Sequence, residues 1–218
     1  MNATYPTTYC DARGEEATVI HNDGCTLGVH IRGVAFAGES FDALSPRQAL
    51  SDADRQLFTL QHDCLCACTL RCTMSLDVID QTRQLNGELS VEVVLGEPTA
   101  NGGLSHERVR LTLRSSLGEL VSAGQSGWFE DELLDLNGQL GATAHIMACI
   151  TCAFSDYSPY GHGIFGDMAC FRSCKDRYER VQTKIALFEL WPLLTEFVQE
   201  TYVCSEYRLR MPGRGYRG

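Results

Sequence analysis

The sequence predicts an α+β fold: an antiparallel β-sheet or sandwich body, followed by a cysteine-rich loop and two C-terminal helices. Three observations carry this. Between Glu16 and Ala123, apolar and polar residues alternate with a period of two in segments separated by Gly- and Asn-containing turns, the pattern of half-buried antiparallel strands. Two cysteine pairs, Cys149/Cys152 and Cys170/Cys174, then bracket a stretch rich in glycine and aromatic residues. Beyond them the apolar spacing becomes that of helices. The expected organisation is residues 1–142 as a β body with a short helix, and 143–218 as the cysteine-rich loop and helical segment, packed as one unit with the body.

Each element has its own signal. Glu16 to Asn22 and Cys25 to Arg32 read as strands joined at Asp23-Gly24, a turn dipeptide that supplies positive φ at little cost. Gly33 interrupts the alternation and Val34-Ala-Phe36 resumes in opposite phase, as a bulge would produce. Ser45-Pro46 and the residues from Arg47 to Leu57 suggest a short helix or covering loop. From Phe58 to Val78 the even positions are Phe, Leu, His62, Cys64, Cys66, Cys68, Leu70, Cys72, Met74, Leu76 and Val78, predicting one long strand, bent or broken near its middle. Alternate residues on one strand face lie about 7 Å apart. That is too wide for neighbouring thiolates of a flat strand to share a zinc with bonds of about 2.3 Å. Cys64, Cys66, Cys68 and Cys72 therefore read as core lining, which suits a residue that behaves as a small hydrophobe.

Leu89, Val91, Val93 and Leu95 define the next strand, Val109, Leu111 and Leu113 another, and Leu120 to Ala123 a return strand. Trp128, Phe129, Leu133 and Leu134 suit one face of a helix starting near Ser126, with Glu130, Asp131 and Glu132 at its positive end. Trp128 is expected to pack beneath this helix; the alternative is that the acidic trio faces a basic partner. Thr143 to Phe154 alternates as a strand. Asp176 to Leu190 fits a helix, and Pro192 is expected to begin a second one ending near Cys204.

The formal charge of −10 disfavours nucleic acid or an anionic membrane surface as a partner and favours a basic protein. The N-terminus lacks a basic segment followed by an apolar one, and no run approaches the roughly 18 apolar residues of a membrane span. A cytoplasmic location is expected. In a reducing compartment the eleven cysteines are read as buried thiols or metal ligands rather than disulfides. Arg208, Arg210, Arg214 and Arg217 form a basic C-terminal run, whose plainer reading is a solvated tail and whose alternative is a segment pinned onto the acidic body.

Chemistry concentrates between Cys149 and Cys204. Cys149-x2-Cys152 and Cys170-x3-Cys174 approach the four-cysteine spacing of a structural zinc site. The ligands would be Cys149, Cys152 and Cys170, with Cys174 or Cys204 as the fourth; His162 in that place would make the site catalytic in type. An ideal strand puts Cys149 and Cys152 on opposite faces, so a shared metal needs a knuckle turn, and Ile150-Thr151 lacks the glycine often used for one. The enclosed loop also holds His162 as a candidate general base, Asp156 to orient it, and Tyr157 or Tyr160 to donate protons. The plain alternative is a tight loop with an Asx turn at Asp156. No Walker loop, nucleotide-binding glycine fingerprint, Gly-x-Ser-x-Gly elbow or His-Glu-x-x-His helix is present.

The runs Gly-Trp128-Phe-Glu130-Asp131, Cys149-Ile-Thr-Cys152-Ala-Phe-Ser-Asp156-Tyr-Ser-Pro-Tyr-Gly161, Met168-Ala-Cys170-Phe-Arg172 and Phe197-Val-Gln-Glu200, with the ending Gly215-Tyr-Arg-Gly218, resemble a bacterial, often actinobacterial, family of unknown function. The resemblance runs the length of the chain and implies one cytosolic unit of about this size. Its pattern includes Cys204 more surely than Cys174, which favours Cys204 as the fourth ligand. The function expected is a zinc-stabilised interaction or binding protein that neutralises or escorts a basic partner, as an immunity protein does. The alternative is a metal-dependent enzyme, hydrolase or lyase in type, using Asp156, His162 and Tyr157.

Overall fold

The computed structural model describes residues 3–158 and 161–217. Its centre is a nine-stranded, wholly antiparallel sheet in the order Gly118–Val121, Glu107–Ser115, Glu88–Leu95, Cys68–Ser75, Ala3–Asp11, Gly14–Asn22, Leu27–Ile31, Val34–Gly38 and Ser45–Pro46. Two meanders, one from each half of this run, are stitched together where Ala3–Asp11 pairs with Cys68–Ser75, Thr7 opposite Cys72. The period of two sets the burial: Leu89, Val91, Val93 and Leu95 face Val109, Leu111 and Leu113 inside, while Glu88 and Glu92 face Arg114 and Arg110 outside.

The long alternating stretch is three strands rather than one. Thr59–Gln61 and Cys64–Cys66 form a hairpin turned by His62 and Asp63, both at positive φ, and Ala67 at φ 49° kinks the chain before Cys68–Ser75 begins. Alternation survives each break because an apolar residue still faces the core. Cys66, Cys68 and Cys72 are buried and Cys64 is half-buried. Ser45–Pro46 ends the sheet rather than opening a helix, and the short helix is confined to Asp52–Arg55, capped by Ser51.

The helix Phe129–Gln139 buries Phe129, Leu133 and Leu136 against the strand Glu107–Ser115. Trp128 does not pack beneath it. It stands at the N-cap, 44% exposed. The acidic trio does not form an outward patch either. Glu132 is buried and accepts hydrogen bonds from the backbone N–H of Gly124, Gln125 and Ser126, and from the Ser126 hydroxyl, so it closes the preceding loop. Burial works against its ionisation, but the bonds from Ser122, Ser126 and Gly124 prevail and hold its pKa below the usual range.

The C-terminal half departs most from expectation. Thr143 to Phe154 supplies only the strand Ala144–Ile146 before turning at Cys149–Thr151. The single helix expected from Asp176 to Leu190 is two, Lys175–Tyr178 and Lys184–Leu190, the second capped by the Thr183 hydroxyl. The helix expected after Pro192 is absent. Trp191–Leu193 is one 3-10 turn, and Glu196–Val198 is a strand paired with Met168–Cys170, which in turn pairs with Ser155–Tyr157. The apolar residues there are equally compatible with both periods over so short a run, and the free edge of Met168–Cys170 decides it. Residues of this half, Tyr157, Phe165, Met168 and Val198, belong to the same core as Tyr9, Val93 and Leu111, and a smaller core around Phe154, Phe171, Tyr178 and Leu187 adjoins it. Among the described residues no helix is long and apolar enough to cross a membrane.

Candidate functional site

Cys149-Ile-Thr-Cys152 forms the knuckle that an ideal strand would not. Cys149–Thr151 is one 3-10 turn in which the Cys152 N–H donates to the Cys149 carbonyl at 3.0 Å. No residue in it takes positive φ, so glycine is not required. The Thr151 hydroxyl, donating to the Ile146 carbonyl at 2.6 Å, holds the turn.

Cys170 arrives from the strand Met168–Cys170, opposite Ser155. Cys204 follows a segment whose Tyr202 carbonyl accepts from the Cys149 N–H. Three separate parts of the chain thus bring Cys149, Cys152, Cys170 and Cys204 into one neighbourhood. Burial first, and then these three thiols, push the Cys149 thiol well above its ordinary pKa, with Arg172 opposing. Cys174 stands apart, beside Ser173 and Arg177. The donor chemistry of the four thiols suits a soft-ligand metal such as zinc. Among the described residues, however, no group of three or more His, Cys, Asp or Glu side chains is already set to hold a metal ion; a metal would have to draw the thiols in.

The loop beyond Cys152 lies over a buried polar network. Asp156, 1% exposed, accepts from the Tyr178 hydroxyl at 2.8 Å and from the Tyr157 N–H at 2.9 Å. Burial raises its pKa, and Arg217, Tyr178 and the Tyr157 N–H counter that only in part. Its carboxylate is thus taken up by Tyr178 and the adjacent N–H. Tyr157 donates its hydroxyl to Glu200 Oε1 at 2.8 Å, and the Gly166 N–H donates to Glu200 Oε2 at 2.8 Å. Glu200 is completely buried, and desolvation lifts its pKa to about 7.

His162 stacks on Tyr157 with ring centroids 4.0 Å apart, and the Trp128 ring meets it edge-on at 4.9 Å. Asp156 is not the carboxylate that faces His162. Glu130 is, with Oε2 3.6 Å from Nε2. The loop is pinned from the far side, where Asp42 Oδ1 accepts from the Ile164 N–H and a Cβ on Gly163 would collide with Ser40. Tyr160 lies outside the described residues.

The basic tail closes the network instead of lying in solvent. Arg210 donates to the carbonyls of Cys152 and Ser155 and to the Tyr178 hydroxyl. Arg208 and Arg214 both pair with Glu179. Arg217 reaches Glu130 Oε1 at 2.9 Å and the Ile150 carbonyl at 3.0 Å, over the Tyr157 ring. Sequence reasoning singled out Asp156, Tyr157 and His162, but gave no role to Glu200 or Tyr178 and did not foresee Glu130 as the partner of His162. The available signal was that Trp128-Phe-Glu130-Asp131 and Gly215-Tyr-Arg217 stand in the same distinctive set of runs as Phe-Ser-Asp156-Tyr157.

What the fold presents is an antiparallel sheet whose loops converge on a buried acid–arginine network, with the thiols of Cys149, Cys152 and Cys170 buried beside it. The chain belongs to a family of unknown function, DUF6304, whose model matches residues 3–155. That match takes in Trp128, Glu130, Cys149 and Cys152 and ends immediately before Asp156. No curated protein and no solved structure matches the chain.

Proposed function

We propose that the protein is an interaction module that binds a basic partner protein, with neutralisation of such a partner, as by an immunity protein, as one concrete form. The observation that carries this reading is the fate of the positive charge. The one concentrated basic run is engaged with the protein's own acids and carbonyls, and the chain as a whole, with 28 acidic against 18 basic residues, keeps a formal charge of −10 that attracts a basic partner. A cleft of about 390 Å³ beside the loop is lined by Glu39 and Asp167, by Glu196, which pairs with Arg172, and by the exposed Phe197 ring, a mixture suited to a basic, partly apolar contact. The groups an enzyme would need are engaged with one another: Asp156 with Tyr178, and Tyr157 with Glu200.

Zinc at Cys149, Cys152, Cys170 and Cys204 would clamp the knuckle to the strand and to the segment after Val198, a structural role. Elemental analysis of protein purified without added metal should find about one zinc per chain, lost in Cys149→Ser and retained in His162→Ala; less than about half an equivalent sinks the clamp. For the partner, the purified protein immobilised on a sensor should retain basic but not acidic test proteins of matched size. Binding should weaken by about tenfold or more at about 1 M salt, where screening acts within about 3 Å. Salt-independent binding, or none, would refute the reading.

One observation favours the alternative of a metal-dependent enzyme: Glu130 and His162 form a carboxylate–imidazole pair at the partly exposed rim of the network. That reading requires His162→Ala to abolish a hydrolytic or lyase activity while leaving the fold intact.

A further inference from the structure

The walls that receive Arg217 come from elsewhere in the chain: Glu130 from the helix, the Ile150 carbonyl from the knuckle, Asp156 and Tyr157 from the loop strand. Together they supply a carboxylate, a carbonyl, a second carboxylate and an aromatic ring around one planar cation, the components that recognise a guanidinium. The fit of Arg217 is incomplete. Its Nε is fully buried yet has no hydrogen-bond partner among the described residues, and Asp156 Oδ1 stands 3.8 Å away. A buried donor left unsatisfied weakens the hold of the group that carries it. Residues 211–216, which lead Arg217 in, are mostly exposed, with Met211 61% and Tyr216 38% accessible, and are tied to the body by the Gly215 N–H on the Glu179 carbonyl, Gln182 on the Gly213 carbonyl and the Arg214–Glu179 pair, the contacts that must open to free the pocket.

We infer that this pocket is a guanidinium-recognition site which Arg217 fills in cis, and that an arginine side chain of a basic partner protein takes its place when the 211–217 segment swings out. The inference rests on the basic-partner reading and narrows it to arginine over lysine. Lysine offers a compact, strongly hydrated charge without the planar fork, and so matches the paired acceptors Glu130 and the Ile150 carbonyl and the flat Tyr157 ring less well. While Arg217 sits in the pocket, the apparent affinity for a competing arginine is reduced by the fraction of molecules in which the pocket is free.

The test uses the full chain and Nα-acetyl-L-arginine amide as probe, with the lysine counterpart as control, followed by NMR titration. Arg217→Ala should bind the arginine probe about tenfold or more tightly than the wild type does, discriminate against lysine, and lose the binding when Glu130→Ala is added. Equal binding by wild type and Arg217→Ala, no preference over lysine, or binding that survives Glu130→Ala overturns the inference. Should Arg217→Ala fail to fold, ethylguanidinium should restore its far-UV circular dichroism and raise its melting temperature; no rescue also overturns it. Salt-dependent retention of basic proteins that persists in the Arg217→Ala, Glu130→Ala double variant would sink this site and leave the proposed function standing. Arginine binding by Arg217→Ala without retention of any basic protein would do the reverse.

Discussion

Glu200 shows how much one buried group can govern. Its carboxyl is completely enclosed, takes the Tyr157 hydroxyl and the Gly166 N–H, and titrates near pH 7 because water is excluded. An unfolded Glu titrates near about 4.3. Between those values the folded state holds the proton and the unfolded state does not, so stability falls as pH rises through this window. Glu200→Gln should flatten the decline. Melting temperatures from pH 4 to 8 are expected to drop for the wild type, by a free energy on the order of 4 kcal/mol at most from this group, and to drop less for the variant, in which Asp156 still has a raised pKa. A wild-type profile that rises across the window would show that Glu200 is not buried in this way. Nothing near Glu200 in the chain announces its burial, since the groups that bond its carboxyl, Tyr157 and the Gly166 N–H, come from far back in the sequence. Tyr157 lies 43 residues away.

At the scale of elements, side chains that cross from one to another do the tying. Asp11, at the end of the first strand, meets Arg32 in the turn after Leu27–Ile31 through two bonds of 2.7 Å, and Arg32 and Arg13 reach on to the carbonyls of Leu57, Gln56 and Phe58. Burial opposes the charge on Asp11, but the bonds from Arg32 and the Arg13 N–H prevail and bring its pKa down to about 2. Its contribution is present above about pH 4 and is lost as pH falls toward 2. Arg32 and Arg13 are partly exposed and keep their carbonyl acceptors, so Asp11→Ala should destabilise the protein by about 2–3 kcal/mol in urea unfolding and free the 47–58 segment to proteolysis. A loss below about 1 kcal/mol would contradict the buried pairing. Likewise, Asn22 and Gln199 exchange amide bonds of 2.9 Å in both directions, joining the second strand of the sheet to the stretch before Glu200. Most of the strands were legible, because alternate burial writes a period of two whatever the turns do; Ala3–Asp11, which joins the two meanders, was not among them. The stretch after Pro192 was not, since three residues on a small sheet and one turn of helix leave the same apolar trace.

For the whole molecule, the shared core makes a testable claim. Tyr157, Phe165, Met168 and Val198 pack in one cluster with Tyr9, Ile20 and Leu111 of the sheet, so the two parts of the chain should unfold together. Tryptophan fluorescence, reporting Trp128 and Trp191, and far-UV circular dichroism, reporting the sheet, are expected to trace coincident urea transitions. Two separated transitions would divide the molecule into independent units. Local spacing and composition alone carry most of the antiparallel body, the helix after Trp128 and the acidic balance. Only the tertiary structure decided that the Cys149–Cys152 turn is a knuckle, that the tail folds inward, and that Glu130, rather than Asp156, faces His162. The reason is distance along the chain. Glu130, Ile150, Tyr157, Glu200 and Arg217 carry no shared periodicity, and the folded sheet with its crossing loops is what brings acid, ring and guanidinium within bonding range.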